Sequence, residues 1–231
     1  MFSVFLSAST QNDNVGVANY GTEASRMQEL ASRVEQYIKA GGGNIKIYRN
    51  IGIKTLEDTV NMSNDIDNLD IHVALHSNAG GGEGTEIYFS NYPVRSEDSF
   101  RLAKSIYEQV APITIGKDRG IKPDTALYEM GLFETGMTKA IAVLLEIMFH
   151  DNAKDIADYL NKVDTIAYNI AIGIYKYFNI EYQNEVKLEE WQKILRKVSP
   201  YYKSWELFIE KHKSVNIKGL IVKIFNSRGS L

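Results

Sequence analysis

As far as about residue 178, short apolar runs alternate with longer stretches of helical periodicity. Residues 3–6, 45–48, 71–76, 85–89 and 142–147 are rich in β-branched and aliphatic side chains, which predicts strands. Between them, Met27, Leu30, Ala31, Val34 and Ile38 recur at helical spacing, as do Phe100, Ala103, Ile106, Tyr107 and Val110. A later pair of helices is predicted, one by Ile156, Tyr159 and Leu160, the next by Val163, Ile166, Ala167, Ile170, Ile174 and Phe178. This order predicts an α/β fold, a largely parallel or mixed central sheet flanked by helices.

Beyond residue 180 the pattern changes. Leu188, Trp191, Ile194 and Leu195 line one helical face, Pro200 breaks it, and Trp205, Phe208 and Ile209 resume it. The expected organisation is a main domain over residues 1–179 and a small helical module over residues 186–231. Residues 181–231 carry 10 Lys or Arg against 6 Asp or Glu, while the whole chain has a net charge of -3, so the positive charge is concentrated in the tail. Two readings stay open for the module: attachment to an anionic polymer, or packing on the main domain as a lid or dimer face.

At 231 residues the chain is long enough to bury a full core. Its slightly negative balance gives no general case for nucleic acid or an anionic membrane. With no cysteine, neither a disulfide, a thiolate metal site nor a cysteine nucleophile is available. The first residues, MFSVFLSASTQNDN, lack a basic region and resemble a first strand more than a signal peptide. No apolar run approaches the length of a membrane span.

Three polar residues fall near the carboxyl edges of predicted strands, where functional loops of open α/β sheets gather. His76 ends the run IHVALH; His72, Ala74 and His76 share a face, but four strand residues span roughly 13 Å, too far for both rings to bind one ion. Glu23 falls in the first turn of a helix beginning near Thr22, and Glu146 interrupts the apolar run AIAVLLEIMF. A buried, unpaired Glu146 would have its pKa raised, as a general acid/base requires. Each has a plainer reading: a satisfied sheet-end histidine, a carboxylate favoured by the helix dipole, a salt-bridged glutamate. The chain lacks a zinc-binding HExxH helix, and its GKDRG and GGGEG stretches lack P-loop spacing.

The succession VGVANYGTEASRMQELA, VALHSNAGGGEGTEIYFS, DRGIKPDTALYE and AVLLEIMFHDN resembles the motifs of the zinc-dependent N-acetylmuramoyl-L-alanine amidases of phage endolysins and bacterial autolysins. The resemblance covers about residues 2–178. It implies hydrolysis of the amide between the muramoyl lactyl group and L-alanine of peptidoglycan, with Zn2+ as cofactor, Glu23 and His76 as metal ligands and Glu146 as catalytic acid/base. The family's first histidine ligand is missing: LSASTQNDN stands there, with Thr10 or a neighbour in its place. His150, four residues past Glu146, is the candidate replacement ligand, with local packing as its plain alternative and Asp13 as a weaker substitute. The alternative function is a non-catalytic peptidoglycan-binding protein on a degenerate amidase fold. Either reading has bacterial peptidoglycan as partner, neither nucleic acid nor integral membrane association, and wall attachment or self-association through the tail. The expected setting is synthesis in the cytoplasm without a signal peptide and action at the cell wall after release.

Overall fold

A computed structural model describes residues 1–52, 55–127, 129 and 131–183. The chain divides into two units, Met1–Tyr182 and Gln183–Leu231. The expected helical module at 186–231 lies outside the described residues.

The elements of the first unit run β1 (Phe2–Ala8), β2 (Val15–Gly16), β3 (Gly21–Thr22), α1 (Glu23–Ala40), β4 (Ile45–Arg49), α2 (Leu56–Asn64), β5 (Ile71–Asn78), β6 (Thr85–Phe89), α3 (Ser96–Val110), β7 (Asp118–Pro123), α4 (Phe133–Met137), β8 (Ile141–Phe149) and α5 (Ala153–Tyr177). Six strands form one sheet in the order β4-β1-β5-β8-β6-β7, and β2 pairs with β3 as a small ribbon. Four of the five pairings in the large sheet are parallel; β6 runs antiparallel to β8, so the sheet is mixed.

The two faces of this sheet are built differently. Val4, Leu6, Val73, Leu75, Val143, Leu145 and Ile87 point to one side, where they share a core with Leu30 and Val34 of α1, Leu102 and Ile106 of α3, and Ile166 and Ile170 of α5. Alternation sends Phe5, Ser7, His72, Ala74, His76, Leu144, Glu146, Glu86 and Tyr88 to the other side. There the apolar packing is small, Ala74, Tyr88 and Leu144 with Leu132 against them. A one-residue slip of β5 or β8 would bring the histidines and Glu146 into the helical core, so burial of the apolar set fixes register.

Local signals place the helices. Thr22 caps α1, its hydroxyl accepting from the Ser25 N–H, and Glu23 follows in the first turn where the dipole favours a carboxylate. Asn152 caps α5 in the same way, accepting from Lys154 and Asp155. The two helices expected between 156 and 178 are one, Ala153–Tyr177, with no Gly or Pro between Leu160 and Val163 to break it. The stretch DRGIKP is edge strand β7. Among the described residues no helix is long and apolar enough to cross a membrane.

Helices α3 and α5 approach closely at Gly173. A Cβ there would lie 2.5 Å from the Cα of Ile106 and 2.8 Å from the Ser105 carbonyl oxygen, both rigid backbone. Gly173→Ala therefore sets a helix-propensity gain of about 1 kcal/mol against an overpacking cost of about 1–3 kcal/mol. Because the clash is with backbone, the cost wins, and the variant should unfold at lower denaturant than the wild type. An unchanged or raised midpoint would mean that the helices separate freely.

Candidate functional site

Register brings the site together. His76 of β5 is the cross-strand partner of Glu146 on β8, and Glu146 is in turn the partner of Glu86 on β6. A histidine and two carboxylates thus lie side by side on three adjacent strands. Glu146 is three residues inside β8 rather than at its end. Glu23 reaches the row from the first turn of α1.

His76 is 6% exposed, and both of its ring nitrogens face carboxylates. Nδ1 is 3.0 Å from Glu23 Oε1, and Nε2 is 3.1 Å from Glu134 Oε2. The other oxygen of Glu134, Oε1, is 3.0 Å from His72 Nε2 and also accepts from the Ser7 hydroxyl. The chain of contacts continues through His72 Nδ1 to Ser63 Oγ at 2.9 Å. At the other end Asn14 Nδ2 donates to Glu23 Oε2 at 2.8 Å, and the Ser77 N–H donates to Oε1 at 3.3 Å. A continuous polar network therefore runs from α2 through β5 to α1.

Its charges follow from this wiring. Burial opposes ionisation of Glu134, but the bonds and charges of His72 and His76 hold its carboxyl far below the usual range. Burial likewise disfavours the charged His76 ring, and Glu134 and Glu23 override it, keeping the imidazolium well above its ordinary value. Glu23, which burial alone would push up, is pulled down by His76 and Asn14. Glu146 behaves in the opposite way. Its Oε2 is shielded from solvent and without a hydrogen-bond partner among the described residues. Burial pushes its carboxyl up to about 7; His76 opposes the rise, and the neighbouring Glu23, Glu86 and Glu134 add to it.

His150 does not join the ring of His76. It is 4% exposed; its Nδ1 is 3.0 Å from Ser77 Oγ and 4.0 Å from Glu23 Oε2, and its ring stacks on Tyr20 with centroids 6.2 Å apart. Thr10 is half-buried and offers only a hydroxyl, while Asp13 is exposed. Glu86 binds Asn78 Nδ2 at 2.6 Å and meets two cations, Arg119 at 3.2 Å and Lys122. The glycine loop after His76 is pinned from β8's far end, the N–H groups of Gly80 and Gly81 each donating to Asp151 at 2.8 Å. Gly84 closes it at φ +92°, and a Cβ there would lie 1.8 Å from the Lys117 carbonyl oxygen.

The expected Zn2+ is corrected by this geometry. Among the described residues no group of three or more His, Cys, Asp or Glu side chains is arranged to hold a metal ion. A zinc centre needs donors aimed at one common point about 2.0–2.2 Å from each. Here the ring nitrogens of His76 point at carboxylate oxygens at hydrogen-bond distance, and a hydroxyl stands where the resemblance puts the first imidazole.

Glu134 is the residue that the motifs did not reveal. It lies 58 residues from His76 and 62 from His72 in sequence, on a five-residue helix with no local signature.

Residues 4–176 match the sequence model of a family described as N-acetylmuramoyl-L-alanine amidase. The chain belongs to that family. A curated relative, the N-acetylmuramoyl-L-alanine amidase CwlM of Bacillus licheniformis, is 27% identical over 176 residues. The match takes in 71% of this chain and 66% of CwlM, so this amidase-family chain spans just under two thirds of that relative's length. Among solved structures, the catalytic domain of CwlV from Bacillus (Paenibacillus) polymyxa var. colistinus superposes with a TM-score of 0.66 at 24% identity, over 78% of this chain and 99% of that domain. Cwp6 from Clostridium difficile gives a TM-score of 0.65 at 26% identity, over 76% of this chain and 29% of Cwp6. The amidase architecture is thus retained around a site where, among the described residues, no group is arranged to hold a metal ion.

Proposed function

We propose that this chain is a peptidoglycan-binding protein on an amidase fold, recognising the wall without zinc-dependent hydrolysis. One observation carries the reading: both nitrogens of His76 are engaged by Glu23 and Glu134. A ring whose two nitrogens each meet a carboxylate must break one of those contacts and release a proton before it can bind a metal. Family membership and the relatives named above as N-acetylmuramoyl-L-alanine amidases support peptidoglycan as the bound polymer. The rim of Glu86, Arg119 and Lys122, with the glycine loop beside it, supplies charged and close-approach contacts for an extended glycopeptide.

A second reading, amide hydrolysis, is favoured by Glu146. Its uncommitted oxygen and raised pKa near 7 suit a group that takes a proton from water and returns it to a leaving amine. Incubation with purified cell walls separates the two. The expected result is co-sedimentation with walls and release of neither new amino termini nor new reducing ends, with or without added zinc. Release of amino termini by the wild type and not by Glu146→Gln would establish the second reading instead. Failure to co-sediment at all would overturn wall binding.

A further inference from the structure

At the opposite edge of the sheet, where β1, β5 and β8 begin, lies a cavity of about 560 Å³. This is within the ordinary size range of small-molecule sites. Phe2 and Phe178 form one wall, their rings stacked with centroids 4.4 Å apart. Arg95, Arg101 and Lys139 line it, and the one carboxylate in the lining is Asp70. Asp70 is already committed, its Oδ2 accepting from the Ser3 N–H at 2.7 Å and the Ser3 hydroxyl at 2.8 Å.

The cations are less well matched. Arg95 is half-buried, and its terminal nitrogens donate only to neutral carbonyls, Lys139 at 3.2 Å and Gly136 at 3.3 Å. Its Nε is buried without a partner among the described residues. Burial pulls the guanidinium below its usual value, and Tyr92 and Asp124 only partly offset this. Asp124 is itself turned away, bonding the Asn91 N–H and the Thr135 hydroxyl. Lys139 is exposed and reaches only the Asn64 carbonyl, at 3.4 Å. Arg101 pairs with Asp98, which is outside the lining.

A partly desolvated cation with only neutral acceptors is stabilised by an anion that brings its own charge and lone pairs. With Arg101 paired to Asp98, Arg95 and Lys139 stand against Asp70 alone, a net positive lining that suits the anion of a phosphate monoester. The aromatic wall beside them provides a surface for an apolar or ring-bearing body. We propose that this cavity binds a small organic phosphate, its anion held by Arg95 and Lys139 and its body against Phe2 and Phe178. The site is separate from the row of His76, Glu146 and Glu86 and does not depend on the function assigned there.

Phenyl phosphate is the probe, titrated into the full chain and followed by calorimetry. One saturable site is expected, tighter for phenyl phosphate than for inorganic phosphate. Affinity should fall about tenfold in Arg95→Gln, the loss of a charged hydrogen-bonding group. Lys139→Gln, at an exposed position where folding is not at stake, should lower it several-fold, and Glu146→Gln should leave it unchanged. Absence of saturable binding at millimolar concentration, or affinity that Arg95→Gln and Lys139→Gln both leave intact, would overturn the proposal.

Discussion

Glu134→Ala is expected to destabilise the protein by about 3–5 kcal/mol near pH 5.5, the cost of breaking a buried ion pair while leaving its partner charge behind. The carboxylate joins His72, His76 and Ser7, and its loss leaves His72 Nε2 without an acceptor and His76 with Glu23 alone. The sign of the pH dependence follows from the two shifts. Glu134 is depressed from an ordinary 4.5, so its stabilisation is present above that value and lost as pH falls towards the depressed one. His76 is raised from an ordinary 6.5, so its share is complete below 6.5 and lost as pH rises through the higher value. The gap between wild type and variant should therefore be widest from about 4.5 to 6.5 and narrow on both sides. Denaturant unfolding across this range measures it. A gap that is constant with pH would mean that shape, not charge, is what Glu134 contributes.

Glu146→Gln should have the opposite effect. The carboxyl is raised from 4.5 to about 7, so the native state resists its ionisation and loses stability as pH climbs between those values. The linked loss is about 2–3 kcal/mol once the partial exposure of the residue is allowed for. Glutamine carries no such penalty. The variant should match the wild type closely near pH 4 and exceed it by that amount near pH 8. Near-equal stability at both values would mean that Glu146 is solvated when charged. Its single unpartnered oxygen is what makes this gain available.

These two glutamates also mark what the sequence tells and what it does not. Glu146 was visible because one charge interrupts nine residues of otherwise apolar strand, and alternation alone places it on the face of His76. Glu134 was not, since a five-residue helix carries no periodicity and its histidine partners come from β5 by tertiary packing. The distance argument that separates His72 from His76 holds for one ion but not for one carboxylate, whose two oxygens each take a ring. The core strands, being nearly continuous aliphatic runs, read clearly. Edge strand β7 did not, because DRGIKP is half-buried and carries the Gly and Pro of a loop. Zinc was implied by resemblance at Glu23 and His76, and the altered position at Thr10 could be seen, but the capture of His76 by a distant glutamate could not.

The unequal faces of the sheet have a consequence for how such a protein can diverge. Cohesion comes mainly from the side carrying α1, α3 and α5, where the long aliphatic interface lies. The side that carries chemistry rests on a small apolar cluster and on polar contacts that can be exchanged in pairs. A lineage can therefore rewrite its reactive groups one loop at a time while the architecture survives nearly untouched. Shape is then inherited more faithfully than activity, and the two have to be tested separately.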